Sequence, residues 1–293
     1  MAANRRVRNF FLAPAIIYLL FMSIYPLIYS LYLSTTRKNL SRPYQKGFIG
    51  LENYSTLINN DLFRTAIENT IVLTIASIAI ELIIAFFIAR LFVAIADVPG
   101  SSVIRTVFIL PMMLTPVVSG LLWSYILSPS LGIANHILRE LGQAPYPWFA
   151  SSDTALKSVI MVNVWQWSPF LMLLILAGLM AIPKEQYEAA AMDGANILQV
   201  VRHIEMPFLR NVVLIGIIFR VIDNFRLFDI IYVTTRGGPG SATEVVTMYA
   251  YREMFGFFNV GYGSAAAVII LIMANIVTMV LNRFIRGEEG NVR

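Results

Sequence analysis

EAAAMDGANILQVVRHIEMP, residues 188–207, is a polar, helix-forming stretch set between two long apolar runs. Ile182-Pro183 precedes it, and Pro is favoured at a helix start, where its missing N–H is not needed. Lys184 to Asp193 is built almost wholly of helix formers. Gly194 suits the left-handed position that ends a helix, and Asn196 suits the cap of the next. Ile197, Val200, Val201 and Ile204 recur at helical spacing and make one apolar face. Pro207 is expected to stop this second helix. The product is helix, tight turn, amphipathic helix.

The surroundings of this stretch set the fold class. The chain has 293 residues, 58% hydrophobic and 13% charged, with a mean hydropathy of +0.70. Soluble domains carry about 25% charged residues, so this is the composition of a polytopic membrane protein. A span takes about 20 mostly apolar residues. Six segments qualify, at about 10–33, 66–96, 103–127, 157–181, 212–235 and 262–285. The expected fold is all-α, with six transmembrane helices. An anchor helix and outer loop fill 1–65, a transmembrane core 66–286, with the polar loop 183–207 inside it, and a tail 287–293. The first apolar run follows Arg5, Arg6 and Arg8 as a signal peptide would. It is too long for one and no small-residue cleavage site follows, so it reads as a retained anchor.

Six spans put both termini on one side of the membrane. Eleven Lys and Arg fall on that side and nine on the other, a narrow margin for the positive-inside rule. The three Arg of the first flank favour cytoplasmic termini, which places 183–207 in the cytoplasm.

Several chemistries are excluded. Cys is absent, and the two His, His136 and His203, lie far apart, so no metal site is expected. No nucleophile–base arrangement marks a catalytic site, and no G-x-x-x-x-G-K-[ST] loop is present to hold nucleotide phosphates. No basic stripe interleaved with aromatics points to nucleic acid.

Charges inside the spans are costly and face a bundle interior or water. The fifth span holds Arg220, Asp223, Arg226 and Asp229 in FRVIDNFRLFD. Two readings stand. The charges pair with each other at i,i+3, Arg220 with Asp223 and Arg226 with Asp229, or Arg220, Asp223 and Asn224 line a polar passage. Glu81 in the second span has no partner that the sequence identifies. Pro169 is expected to kink the fourth span.

The 188–207 stretch resembles the EAA loop of ABC importer permeases: E-A-A, three residues, G, nine residues, then I-x-L-P. Glu188-Ala189-Ala190, Gly194, Ile204 and Pro207 match, and Met206 stands where the pattern has Leu. IPKEQYEAAAMDGA is similar to the carbohydrate-uptake branch. FIGLENYSTL, FRTAIENT, ILPMMLTPVVSGLLW, GIAN, FDIIYVTTRGGPG and GYGSAAAVIILI extend the resemblance in order over most of the chain.

The resemblance implies a type I ABC importer permease fold and a permease subunit of an ATP-driven, binding-protein-dependent importer of a sugar or sugar derivative, in a bacterial cytoplasmic membrane. It implies as partners a second, homologous permease in a heterodimer, two ATPase subunits holding ATP and Mg, an extracytoplasmic solute-binding protein and surrounding lipid. Glu188, Ala189, Ala190, Asp193, Gly194, Ile204 and Pro207 would form the ATPase-coupling loop, with Glu188 in the charged contact. Carried over by position, Asn163, Trp167 and Phe170 of the fourth span would line the sugar path with Arg220, Asp223 and Asn224. An amide and an aromatic face are what a sugar requires. RGGPG at 236–240 would face the binding protein, and as a plain loop it would look the same. A connector lying on the bilayer surface is the other reading of 183–207. A proton-coupled carrier using Glu81 and the fifth-span charges is the other reading of the whole, and it gives the loop no role.

Overall fold

The computed structural model describes residues 2–42, 44 and 47–289. Lys46 and tail residues 290–293, including Arg293, lie outside them, as do the side chains of Arg5, Arg6, Arg8 and Arg286. In chain order the helices are α1 (Ala2–Ser34), α2 (Glu52–Ile58), α3 (Asp61–Ala94), α4 (Ser101–Met113), α5 (Pro116–Ile126), α6 (Ile133–Glu140) and α7 (Ser152–Met180). There follow α8 (Lys184–Met192), α9 (Ile197–Val200), α10 (Met206–Asn224), α11 (Asp229–Thr234), α12 (Val246–Tyr251) and α13 (Val260–Glu289). Two π-helical turns, Val201–Glu205 and Arg252–Gly256, complete the helical elements among the described residues.

The six expected spans are only partly present as single helices. Among the described residues, Phe11–Ser34, Asp61–Ala94, Ser152–Met180 and Val260–Arg283 are each long and apolar enough to cross a membrane. The expected span at 103–127 is instead the pair α4 and α5, bent by 100°. Pro116 explains the bend: a residue before Pro is driven out of the helical region, and Thr115 is extended at ψ 148°. The Leu114 carbonyl at the bend accepts a hydrogen bond from Gln166 Nε2 at 2.9 Å. Counting the bent pair as one crossing gives up to five. The expected span at 212–235 begins earlier, at Met206, and breaks at 225–228 between α10 and α11. The Thr247 hydroxyl donates to the Leu227 carbonyl within that break, at 2.6 Å.

The chain forms two compact units, residues 1–64 with 249–272, and 65–248 with 273–293. In the first, Asn53 fastens the chain after α1: its Nδ2 donates to Ser34 O at 2.8 Å and Thr36 O at 2.9 Å. Phe63 and Tyr249 pack at 5.2 Å between ring centroids.

The second unit holds two apolar clusters. One joins Ala85, Ala89 and Phe92 of α3 to Leu171, Met172, Ile175, Leu176 and Leu179 of α7, and to Ile182 and Leu209. The other joins Leu73 of α3, Val159, Ile160, Val162 and Val164 of α7, Ile230 and Ile231 of α11, and Val245 and Met248. Between helices in lipid such clusters stabilise through close van der Waals packing, since lipid tails are as apolar as these side chains. α7 belongs to both clusters, which is why its burial runs along nearly its whole length. Pro169 sits inside α7 without ending it. Gly120 of α5 meets α11 so closely that a Cβ would overlap Val233, so only Gly permits that contact.

Candidate functional site

Two places in the second unit gather the residues of interest. The first is a buried polar cluster between α3, α7 and α10. Arg220 of α10 is 1% exposed and grips Glu81 of α3, fully buried, with two parallel hydrogen bonds. Its Nε donates to Glu81 Oε2 and its Nη2 to Glu81 Oε1, both at 2.7 Å. Its Nη1 donates to Asp223 Oδ2 at 2.6 Å. Nη2 also lies 3.2 Å from Asn224 Oδ1. The guanidinium carbon stands 5.0 Å from the centre of the Trp167 ring, a cation–π distance.

Asn163 of α7 extends the network. Its Nδ2 donates to Asn224 Oδ1 at 2.8 Å and to Ser77 Oγ of α3 at 3.0 Å. Asn163, Ser77 and Asn224 are buried. The cluster places one guanidinium between two carboxylates. Breaking a buried pair leaves an uncompensated charge, so these groups hold α3, α7 and α10 in register. Two features leave the cluster open. The Asp223 side chain is 48% exposed, and Asn224 Nδ2 is a buried donor with no protein acceptor. Beside Arg220, Trp167 begins an edge-to-face series with Phe170 and Phe219 at 6.5 and 6.3 Å, with Trp167 and Phe170 half-buried and Phe219 exposed.

The two readings of the charges in FRVIDNFRLFD resolve unevenly. Arg220 does pair with Asp223 at i,i+3, yet its bidentate partner is Glu81, distant in sequence. Arg226 and Asp229 are both exposed, and no ion pair joins them among the described residues. The structure gathers Asn163, Arg220, Asp223 and Asn224 in one network, with Trp167 against Arg220 and Phe170 against Trp167. Sequence reasoning missed Ser77, which lies one helical turn before Glu81 and so on its face.

The second place is the 183–207 segment. α8 starts after Pro183 and has no buried residue. Gly194 takes φ +70°, as the turn requires. Asn196 caps α9 in a reciprocal box: Gln199 N–H donates to Asn196 Oδ1 at 3.0 Å, and Asn196 N–H to Gln199 Oε1 at 2.7 Å. Pro207 does not stop this helix. α9 passes through the π-helical turn 201–205 into α10, and Pro207 lies in the first turn of α10. The wider π turn gives room for a ring that would otherwise press on the preceding turn.

The expected apolar face is not buried as a whole. Ile204 is half-buried against the α3–α7 cluster, whereas Ile197 is 70% exposed. Leu198 and Met192 are more exposed still, at 74% and 89%. Glu188, Ala189, Asp193, Gly194 and Pro207 are exposed, and Ala190 is half-buried. A groove of about 310 Å³ is lined by Ala190, Asp193, Gly194, Gln199, His203 and Ile204 among others.

At the inner end of the segment Glu205 is buried beside Arg90 of α3, with Oε2 3.2 Å from Arg90 Nε. Burial pushes the Glu205 carboxyl above its usual range, and the Arg90 charge opposes this only in part. Tyr187 is likewise pushed up, first by burial and then by the Glu205 charge. Among the described residues no group of His, Asp and Glu is arranged to hold a metal.

A family model described as binding-protein-dependent transport system inner membrane component matches residues 81–287. The sulfoquinovosyl glycerol transport system permease of Agrobacterium fabrum is 32% identical over 288 residues, covering 98% of this chain and 92% of that one. The trehalose transport system permease of Mycobacterium tuberculosis is 33% identical over 268 residues, covering 92% and 85%. A chain of the crystal structure of a bacterial alginate ABC transporter, in complex with an alginate pentasaccharide-bound periplasmic protein, superposes with a TM-score of 0.84 at 22% identity. That match covers 97% of this chain and 95% of the other.

Proposed function

The chain belongs to the binding-protein-dependent transport system inner membrane components, the permease subunits of ABC importers, and from that premise we propose that it carries a sugar or sugar derivative across a bacterial cytoplasmic membrane. A second permease completes the passage, two ATPase subunits bind ATP and Mg and drive it, and an extracytoplasmic binding protein delivers the sugar. Both termini and the 183–207 segment face the cytoplasm. The chain itself hydrolyses nothing.

The observation that carries the coupling role is the exposure of 183–207. Met192, Ile197 and Leu198 present apolar side chains outward around a rigid Gly194 turn. Isolated exposed apolar residues are common, but three within seven positions of one exposed turn are more than a polar connector requires. A helix lying on the bilayer would carry more Lys and Arg on its polar face, and residues 183–207 hold only Lys184 and Arg202. Glu188 supplies the charged contact, with Ala189, Ala190, Asp193, Gly194, Ile204 and Pro207 shaping the surface.

On the substrate side, Trp167, Phe170 and Phe219 offer faces for sugar C–H groups. Asp223 offers an acceptor, and Asn224 lies buried behind it in the same cluster. Arg220 is enclosed by Glu81, Asp223 and Trp167, so the sugar meets the Asp223 carboxylate and not the guanidinium. A neutral sugar fits this subunit better than an anionic one. The proton-coupled reading has no support here, because both Glu81 oxygens are held by Arg220.

The test is affinity purification of the chain from its native membrane under mild detergent. Recovery of a Walker-motif ATPase and a second permease is expected. Recovery of the chain alone, with solute uptake that follows the proton gradient, would overturn the proposal.

A further inference from the structure

α3 carries two ion pairs to the segment that runs from the 183–207 loop into α10. Glu81 meets Arg220, and Arg90 meets Glu205. The polarity is reversed between them: α3 supplies the carboxylate in one and the guanidinium in the other. Glu81 and Arg90 are nine positions apart, about 13.5 Å along a helix and about two and a half turns. The two pairs therefore grip α3 at different heights and from different sides.

The Arg90–Glu205 pair has features that a surface ion pair lacks. The Glu205 side chain is 4% exposed and that of Arg90 31%. Glu205 closes the π-helical turn, at the point where the exposed loop becomes the membrane helix α10. Around this junction, Ile182, Tyr187, Ile204 and Leu209 pack in one apolar cluster with Ala89 and Phe92 of α3. Apolar contact is non-directional and roughly proportional to area, so it permits one element to slide on another. A carboxylate placed in that contact without its partner carries a large desolvation penalty, which fixes the register.

We propose that Arg90 and Glu205 are positioning residues that lock the 183–207 segment to α3, so that a displacement of the loop is passed to α3. Through Glu81 and Arg220 it then reaches the polar cluster. This rests on the coupling role of the loop. Packed side chains and ion pairs are one physical route for such transmission, and here an apolar cluster of α3, α7 and α10 residues accompanies the two ion pairs.

The absence of native Cys allows a direct test in the assembled transporter. Spin labels at Leu91→Cys and Leu198→Cys, both positions exposed, report the α3-to-loop distance by pulsed EPR. The expected result is one narrow distance, the same without nucleotide and after trapping with ATP and vanadate. Arg90→Gln with Glu205→Gln, which leaves no unpaired charge, is expected to add a second distance in the trapped state. The swap Arg90→Glu with Glu205→Arg is expected to restore the single distance. A merely structural pair would lower the melting temperature without changing the nucleotide response. A distance that shifts with nucleotide in the unsubstituted pair, or a double Gln variant that keeps one distance, overturns the inference while leaving ATPase docking intact. Failure of the ATPase to co-purify with the unsubstituted chain overturns the coupling role itself, and the inference with it.

Discussion

Around Arg220 the chain encloses its polar groups, and around Gly194 it exposes its apolar ones. At Arg220, a guanidinium and a carboxylate with almost no solvent exposure satisfy each other, with two Asn and a Ser extending the network. At Gly194, Met192, Ile197 and Leu198 stand in the open, next to a helix with no buried residue. Each arrangement is unfavourable by itself. A buried charge is least costly where it is paired, as Arg220 and Glu81 are, and clustered exposed apolar side chains are a common feature of contact surfaces. The contrast separates a region whose buried charges are closed within the chain from one whose apolar side chains stand uncovered.

The largest effect is expected at Glu81. Glu81→Ala leaves Arg220 charged, buried and without its bidentate partner, at about 3–5 kcal/mol. Thermal unfolding in detergent is expected to show a large drop in stability, and replacing Arg220 by Met in the same chain is expected to recover much of it. A single Glu81→Ala variant as stable as the unsubstituted protein would show that the cluster is not closed as described.

At the other region, Gly194→Val forces a β-branched residue into φ +70°, a conformation it strongly disfavours. The turn is exposed and a Cβ there meets nothing. The folded core is therefore expected to survive while docking is lost. A contact centred on such a turn contributes about 2 kcal/mol or more, about thirtyfold in affinity. Titration of the purified ATPase against the permease measures it. Unchanged affinity would return the segment to the status of a connector.

The smallest effect is expected at Asp223, which belongs to the buried cluster but is half-exposed. Asp223→Asn leaves Arg220 its bidentate partner Glu81 and loses only a half-exposed carboxylate, so the melting temperature is expected to move far less than in Glu81→Ala. Transport of a neutral sugar is expected to change far more than stability. A variant with a large stability loss and normal transport would place Asp223 wholly within the closed region.

Much of this division was legible in the residues, for local reasons. The helix-forming run 184–193, the Gly194 turn and the Asn196 cap follow from chemistry within a few positions, and each stands where the spacing places it. Membrane class follows from composition, and four of the spans from the length of their apolar runs. Where a local rule misled, a neighbouring feature had absorbed its effect. Pro207 did not end α9 because a π-helical turn precedes it. The charges of α10 did not pair simply within their own helix because Glu81 offered Arg220 a bidentate site. The run at 103–127 reads as one span, and Pro116 bends it.

The sequence by itself thus determined the class of the protein, the position of its loop and the family pattern the loop carries, because periodicity, turn chemistry and motif spacing act over short distances. Only the tertiary structure decided which charges meet. Glu81 and Arg220 are 139 positions apart, and Arg90 and Glu205 are similarly remote. No propensity or period encodes such a pairing. It arises when α3, α7 and α10 pack their apolar faces together and the charges left in that interface have only each other to neutralise them.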